Sequence, residues 1–179
     1  FELFASEPRL MPHLHLSLQH GHDLILKRMK RRHSRADAVQ LVNALKDRRP
    51  DLAIGADLIA GFPTETDEHH AANLSIIEEL DIVHGHIFPY SPRPGTPAAR
   101  MPQVDRAVVK ARAAELRAAV AARRANWLSN LVGETLPILA ERDGTGYAPN
   151  YARVRLPAGA PAGTIVEIAV EAVEEGFLR

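Results

Sequence analysis

Leucines alternate with polar residues near the start of the chain. In "HLHLSL" (13–18), Leu14, Leu16 and Leu18 fall on one face and His13, His15 and Ser17 on the other, the pattern of a strand with one buried face. Residues 23–30 change to a helical spacing of Leu24, Ile25 and Met29, with Asp23 as the expected cap. Val39, Leu41, Val42 and Leu45 group on one side of a second helix over 35–48, which Pro50 closes. "LAIGADLIAGF" (52–62) is almost continuously apolar and ends at Gly61 and Pro63, as a parallel strand covered on both faces does. Thr66 or Asp67 caps a helix running to Leu80, and "IVHGHIF" (82–88) is the next strand. A Pro-rich loop, "PYSPRPGTPAARMP", follows over 89–102.

Strand, helix, strand, helix, strand at such intervals predicts parallel βαβ units. Three strands are too few for a closed eight-stranded barrel of about 250 residues. The expectation is α/β: a partial (β/α) barrel over 1–104, or a small open sheet. One long helix follows over 105–133, capped by Asp105 and ended by Gly133. Over 134–179 the texture shifts to short strands between Gly, Pro and Asn turns, which predicts a small antiparallel β-barrel.

Charge changes this picture locally. Lys+Arg and Asp+Glu balance at 22 each, which excludes a uniformly basic nucleic-acid binder. Residues 1–133 nevertheless carry 18 basic and 15 acidic side chains, against 4 and 7 in 134–179. Lys27, Arg28, Lys30, Arg31 and Arg32 form a basic run suited to a nucleic-acid backbone. The long helix adds Arg106, Lys110, Arg112, Arg117, Arg123 and Arg124. No apolar run approaches the about 20 residues needed to span a bilayer, so the default expectation is cytoplasmic. A start at Phe1 rather than Met reads as a fragment.

Nine histidines are the conspicuous chemistry. His13-x-His15 and His84-x-His86 each place two imidazoles on one strand face, which suits a metal-dependent hydrolase with Asp57 as a further ligand. The plainer reading makes them hydrogen-bonded groups facing a solvated lumen. His20 and His22 lie beyond the strand in a loop. No cysteine is present, so no thiolate metal site forms within these residues.

Three strings in order favour another reading. "LHLSLQHGHDLILKRMKRRHSRADAV", "DLIAGFPTET" and "FPYSPRPGTPAARMPQV" resemble the radical S-adenosylmethionine (SAM) tRNA methylthiotransferases of the MiaB/MtaB-like family. The matching positions are His13, His15, Gln19, Gly21 and Asp23; Asp57, Ile59, Gly61, Phe62, Pro63, Glu65 and Thr66; and Tyr90, Ser91, Arg93, Gly95 and Thr96. The resemblance covers about residues 8–125, and 134–179 are similar to a TRAM domain. Two departures stand out: His20-Gly21-His22 replaces Ser-Gly-Ser, and Thr64 replaces a Gly.

The resemblance implies the C-terminal part of an enzyme that cleaves SAM at a [4Fe-4S] cluster and adds a methylthio group to N6-threonylcarbamoyladenosine in tRNA. The cluster's cysteines are absent from these residues, so no metal ligand is assigned here and the fragment alone is expected to be inactive. Gln19, Asp57, Ile59, Gly61 and Arg93 are the implied SAM contacts. His13, His15, Lys27, Arg28, Lys30, Arg31, Arg32, Tyr90, Arg153 and Arg155 are the candidate tRNA contacts, the lysines and arginines by their charge. No catalytic residue is assigned. A module that only binds RNA is the alternative outside the enzyme classes.

Overall fold

A computed structural model describes residues 2–179. After a short helix α1 (Glu2–Ser6), it runs β1 (His13–Gln19), α2 (Asp23–Arg28), α3 (Arg35–Lys46), β2 (Ala53–Ala60), α4 (Asp67–Glu79), β3 (Ile82–Pro89) and α5 (Arg106–Ser129). The tail holds β4 (Thr135–Ala140), β5 (Thr145–Tyr147), β6 (Arg153–Arg155), β7 (Ile165–Ala169), β8 (Val173–Glu174) and β9 (Phe177–Leu178).

Local chemistry sets the helix starts. Ser34 and Asp37 close a reciprocal capping box on α3, and Thr66 with His69 does the same on α4. Asp105 caps α5 by accepting from the Ala107 and Val108 amides. Helix α2 departs from expectation. Its N-cap is His22, whose Nδ1 accepts the Leu24 amide, while Asp23 is already helical and accepts the Arg35 amide at 2.6 Å.

Strands β1, β2 and β3 form a parallel sheet in that order, as the alternation predicts. One face of this sheet is packed. Leu18, Ile54, Ala56, Leu58 and Ala60 bury against Val42 and Leu45 of α3, Ile76 and Ile77 of α4, and Ala113, Leu116 and Val120 of α5. All three helices therefore lie on one side, and burial of this apolar surface is the main source of the sheet's stability. The opposite face carries His13, His15, Asp57, His84, His86 and the half-exposed Phe88. Among the described residues the sheet has three strands and two free edges, so it is open rather than barrel-shaped.

The tail also differs from the expected antiparallel barrel. It is a six-stranded mixed sheet, ordered β7-β4-β5-β6-β9-β8, in which β6 and β9 run parallel. Strands β5 and β8 are only three and two residues long. A second core of Ile138, Ala148, Ala152, Val154, Val170 and Leu178 takes in Leu128 of α5, with Trp127 and Leu131 packed beside it. Helix α5 thus contributes to both cores.

Candidate functional site

Gln19, Asp57, Ile59, Tyr90 and Arg93 line one cleft of about 480 Å³, with Phe88, Ser91 and Thr96. Gln19 ends β1 with φ +72°, Ile59 lies near the end of β2, and Tyr90 and Arg93 follow β3. The cleft therefore opens at the carboxyl ends of parallel strands, the usual ligand end of such sheets. The Arg93 guanidinium has no hydrogen bond or ion pair among the described residues, so it is available to an anion.

A second hollow of about 350 Å³ shares Gln19, Ile59, Thr96 and Ala98 with the first and is walled by Arg28, Lys30 and Arg31. The basic run thus sits on the rim of the cleft. Arg28 is committed, donating to Thr64 Oγ1 at 2.6 Å. The side chains of Lys27, Lys30, Arg31 and Arg32 have no ion-pair partner among the described residues.

Gly61 stands just outside the first cleft, in a groove with Tyr90 and Val109. Its φ of +72° favours glycine, and a Cβ placed there would collide with the Val109 side chain. Close packing of α5 is therefore one reason for a glycine here.

The histidines separate into three groups. His15 Nε2 lies 2.9 Å from Asp57 Oδ1, and His86 Nδ1 lies 3.3 Å from the same oxygen. His13 is six residues before Gln19, about 20 Å along the strand at 3.3 Å per residue. It stacks on Tyr151 of the tail, with ring centroids 4.8 Å apart and planes 16° apart, and meets His84 edge-on. His84 accepts from Arg124 at Nδ1 (2.7 Å) and donates from Nε2 to the Asn150 carbonyl (3.3 Å). Burial, the Arg124 charge and nearby His13 push its pKa down to about 4, so it is neutral at pH 7. The His-x-His pairs are therefore divided: His13 and His84 join the tail, while His15 and His86 face Asp57.

The third group lies behind the cleft. His20 is fully buried; its Nδ1 accepts the His22 amide and its Nε2 donates to Glu65 Oε2. The same carboxylate accepts the Gly61 and Phe62 amides, while Arg112 donates to Oε1 at 2.9 Å and to Asp67 at 2.7 Å. This network binds the strings around His20, Gly61 and Glu65 to α5. Sequence reasoning left His20 unexplained and saw Arg112 only as part of a basic stripe. Arg117, Arg123 and Arg124 are also turned to partners: the Ile87 carbonyl, Asp81 and His84.

Arg153 and Arg155 lie on β6 in the tail. Arg153 sits over the rings of Tyr147 and Phe177 and pairs with Asp143 at 3.3 Å; Arg155 also sits over Phe177 and pairs with Glu175.

A parallel sheet with a cleft at its strand ends is the layout of an α/β ligand site, and the Radical SAM superfamily model matches residues 1–75. The chain is 41% identical over all its 179 residues to the threonylcarbamoyladenosine tRNA methylthiotransferase MtaB of Rickettsia prowazekii, covering 42% of that protein. It is 37% identical, over 99% of its length, to the tRNA-2-methylthio-N(6)-dimethylallyladenosine synthase of Maricaulis maris, covering 41% of it. These matches bear out the resemblance read from the motifs: the chain belongs to the MiaB/MtaB-like family. It spans about two fifths of the length of these relatives. No helix among the described residues is long and apolar enough to cross a membrane.

Proposed function

We propose that the chain is the C-terminal part of a cytoplasmic radical SAM methylthiotransferase acting on N6-threonylcarbamoyladenosine in tRNA. The observation that carries this reading is the gathering of Gln19, Asp57, Ile59, Tyr90 and Arg93, drawn from all three motifs, around one cleft. The cleft fits a SAM-sized ligand. Arg93 offers a fork for a carboxylate, Gln19 and Asp57 offer polar contacts for an amine or ribose, and Ile59 and Phe88 offer apolar surface. When bound, SAM supplies the 5′-deoxyadenosyl group for hydrogen abstraction. The residues present do not fit a [4Fe-4S] cluster, which needs cysteine thiolates. Residues 1–179 by themselves therefore do not cleave SAM.

In this reading Lys27, Lys30, Arg31 and Arg32 on the rim hold tRNA phosphates, and the sheet of 134–179 serves as a TRAM-like module. Among the relatives, the Rickettsia prowazekii name specifies threonylcarbamoyladenosine, whereas the Maricaulis maris name and several more, one of them from a relative 42% identical over 142 residues, specify dimethylallyladenosine. We favour the first because its 41% identity extends over the whole chain, against 37% for the dimethylallyladenosine relative that covers nearly all of it. The test is nucleoside analysis of tRNA from cells lacking the gene. Loss of the methylthio group from threonylcarbamoyladenosine, with the dimethylallyl nucleoside unchanged, supports the reading. The reverse pattern, or no change in either, overturns it.

A further inference from the structure

We propose that His15, Asp57 and His86 form a binding site for a divalent metal ion of the zinc or iron(II) class, separate from any cysteine-held cluster. The three side chains come from three adjacent parallel strands. In register, Asp57 stands opposite His86 and His15 opposite Gly55. Their ligand atoms lie within 4.8 Å of one another.

Two separations are close to what a shared ion requires. Metal bonds of about 2.0–2.2 Å at tetrahedral or octahedral angles place neighbouring ligand atoms about 2.9–3.5 Å apart. His15 Nε2 and His86 Nδ1 stand 2.9 and 3.3 Å from Asp57 Oδ1. Both imidazoles converge on one carboxylate oxygen, while Asp57 Oδ2 has no hydrogen-bond partner among the described residues. A cation seated between them relieves that crowding and takes the place of the two ring protons.

The surroundings suit an ion that enters from solvent. The His86 side chain is 64% exposed, and those of His15 and Asp57 about 29% and 28%. Gly55 is buried beneath the His15 ring, and a Cβ there would strike His15 Nδ1. The sheet thus leaves room for this imidazole beside Gly55, its Nε2 turned to Asp57. Asp57 also lines the cleft, so an ion held by it would stand at the cleft's edge. Two imidazoles and one carboxylate select zinc, iron(II) or cobalt(II) over magnesium or calcium, which prefer oxygen ligands alone.

The inference goes beyond the methylthiotransferase reading and does not rest on it. The test is calorimetric titration of the chain with zinc, with the visible absorption of bound cobalt(II) as a second readout. One ion per chain is expected, with affinity reduced about tenfold or more in each of His15→Ala, His86→Ala and the near-isosteric Asp57→Asn. His22→Asn, a helix-cap change away from the site, should bind as the parent does. Circular dichroism confirms that each variant is folded. Absence of saturable binding to the parent chain, or binding that survives in folded His15→Ala and His86→Ala, overturns the proposal.

Discussion

His20 Nε2 donates to Glu65 Oε2 across 3.2 Å, and neither side chain is reached by solvent. His20 Nδ1 accepts the His22 amide, so the ring is held as the single neutral tautomer that can donate to the carboxylate. Burial holds the His20 pKa below its ordinary value. Burial alone would raise the Glu65 carboxyl, but the His20 hydrogen bond and the Arg112 charge outweigh it, so Glu65 also titrates low. Glu65→Gln removes the charge while Arg112 stays buried. The expected loss is about 3 kcal/mol of unfolding free energy by urea denaturation. A change below about 1 kcal/mol would show that the network is incidental.

The same pair contributes to the pH dependence of stability. Both groups have folded pKa values below their unfolded ones, so both stabilise at high pH and lose that contribution as acid protonates the unfolded chain first. His20, together with His13, His69 and His84, whose pKa values burial also lowers, begins to cost stability below about pH 6.5, and Glu65 below about pH 4.5. Stability should therefore be flat from pH 8 to 7 and fall from pH 6.5 downward. His20→Ser should flatten the upper part of that fall. If unfolding free energies of parent and His20→Ser change in parallel between pH 7 and pH 5, His20 is not the group responsible.

Gly61→Ala should destabilise by about 2 kcal/mol or more, from the left-handed backbone and the collision with Val109. Adding Val109→Ala should recover part of that loss, because it removes the collision but not the backbone strain. A double mutant no more stable than expected from adding the two single effects would refute the contact as the cause.

Tyr151 links the tail to the first sheet. Tyr151→Ala should cost about 1 kcal/mol, through loss of its ring's packing with His13 and Tyr147, whereas Tyr151→Phe should be near neutral. The measurement is amide hydrogen exchange at Ala152 and Val154, which should quicken in the Ala variant alone. Equal exchange in both variants would place the link elsewhere.

Replacing Lys30, Arg31 and Arg32 by Gln should weaken tRNA binding and lower the slope of log affinity against log salt by about 2–3. An unchanged slope would remove this rim from the tRNA path. Arg112→Gln is the contrasting case. It should damage stability through the Glu65 network with no specific change in salt slope.

The alternation of Leu14, Leu16 and Leu18, the apolar run of β2 and the caps at Thr66 and Asp105 made the first sheet and its helices legible, because each is a local signal. The motif residues Gln19, Asp57 and Arg93 were legible as a set, and the cleft collects them. What stayed hidden were pairings across long stretches of chain. His20 meets Glu65 at a separation of 45 residues, His84 meets Asn150 at 66, and Arg112 meets Glu65 at 47. No periodicity reports such partners, and a buried arginine reads like a solvated one until its carboxylate is found. The His-x-His spacing was divided for the same reason. Two residues on one strand share a face but stand about 7 Å apart along it, so His15 and His86 converge on Asp57 while His13 and His84 meet Tyr151, Arg124 and Asn150. In the tail, β5 and β8 are too short for any pattern to stand above turn chemistry.

Helix α5 is a rotational gauge as well as a support. Its Val120 packs against Gly85 of the first sheet, and two turns later its Leu128 enters the tail's core. Each residue of an α-helix advances about 1.5 Å and turns about 100°. A single residue inserted between Val120 and Leu128 would swing the tail by more than a quarter-turn, pulling Tyr151 off His13, while the cleft itself remained intact. The spacing of those two positions therefore sets the direction in which the tail faces relative to the cleft, and only insertions near whole turns would preserve it.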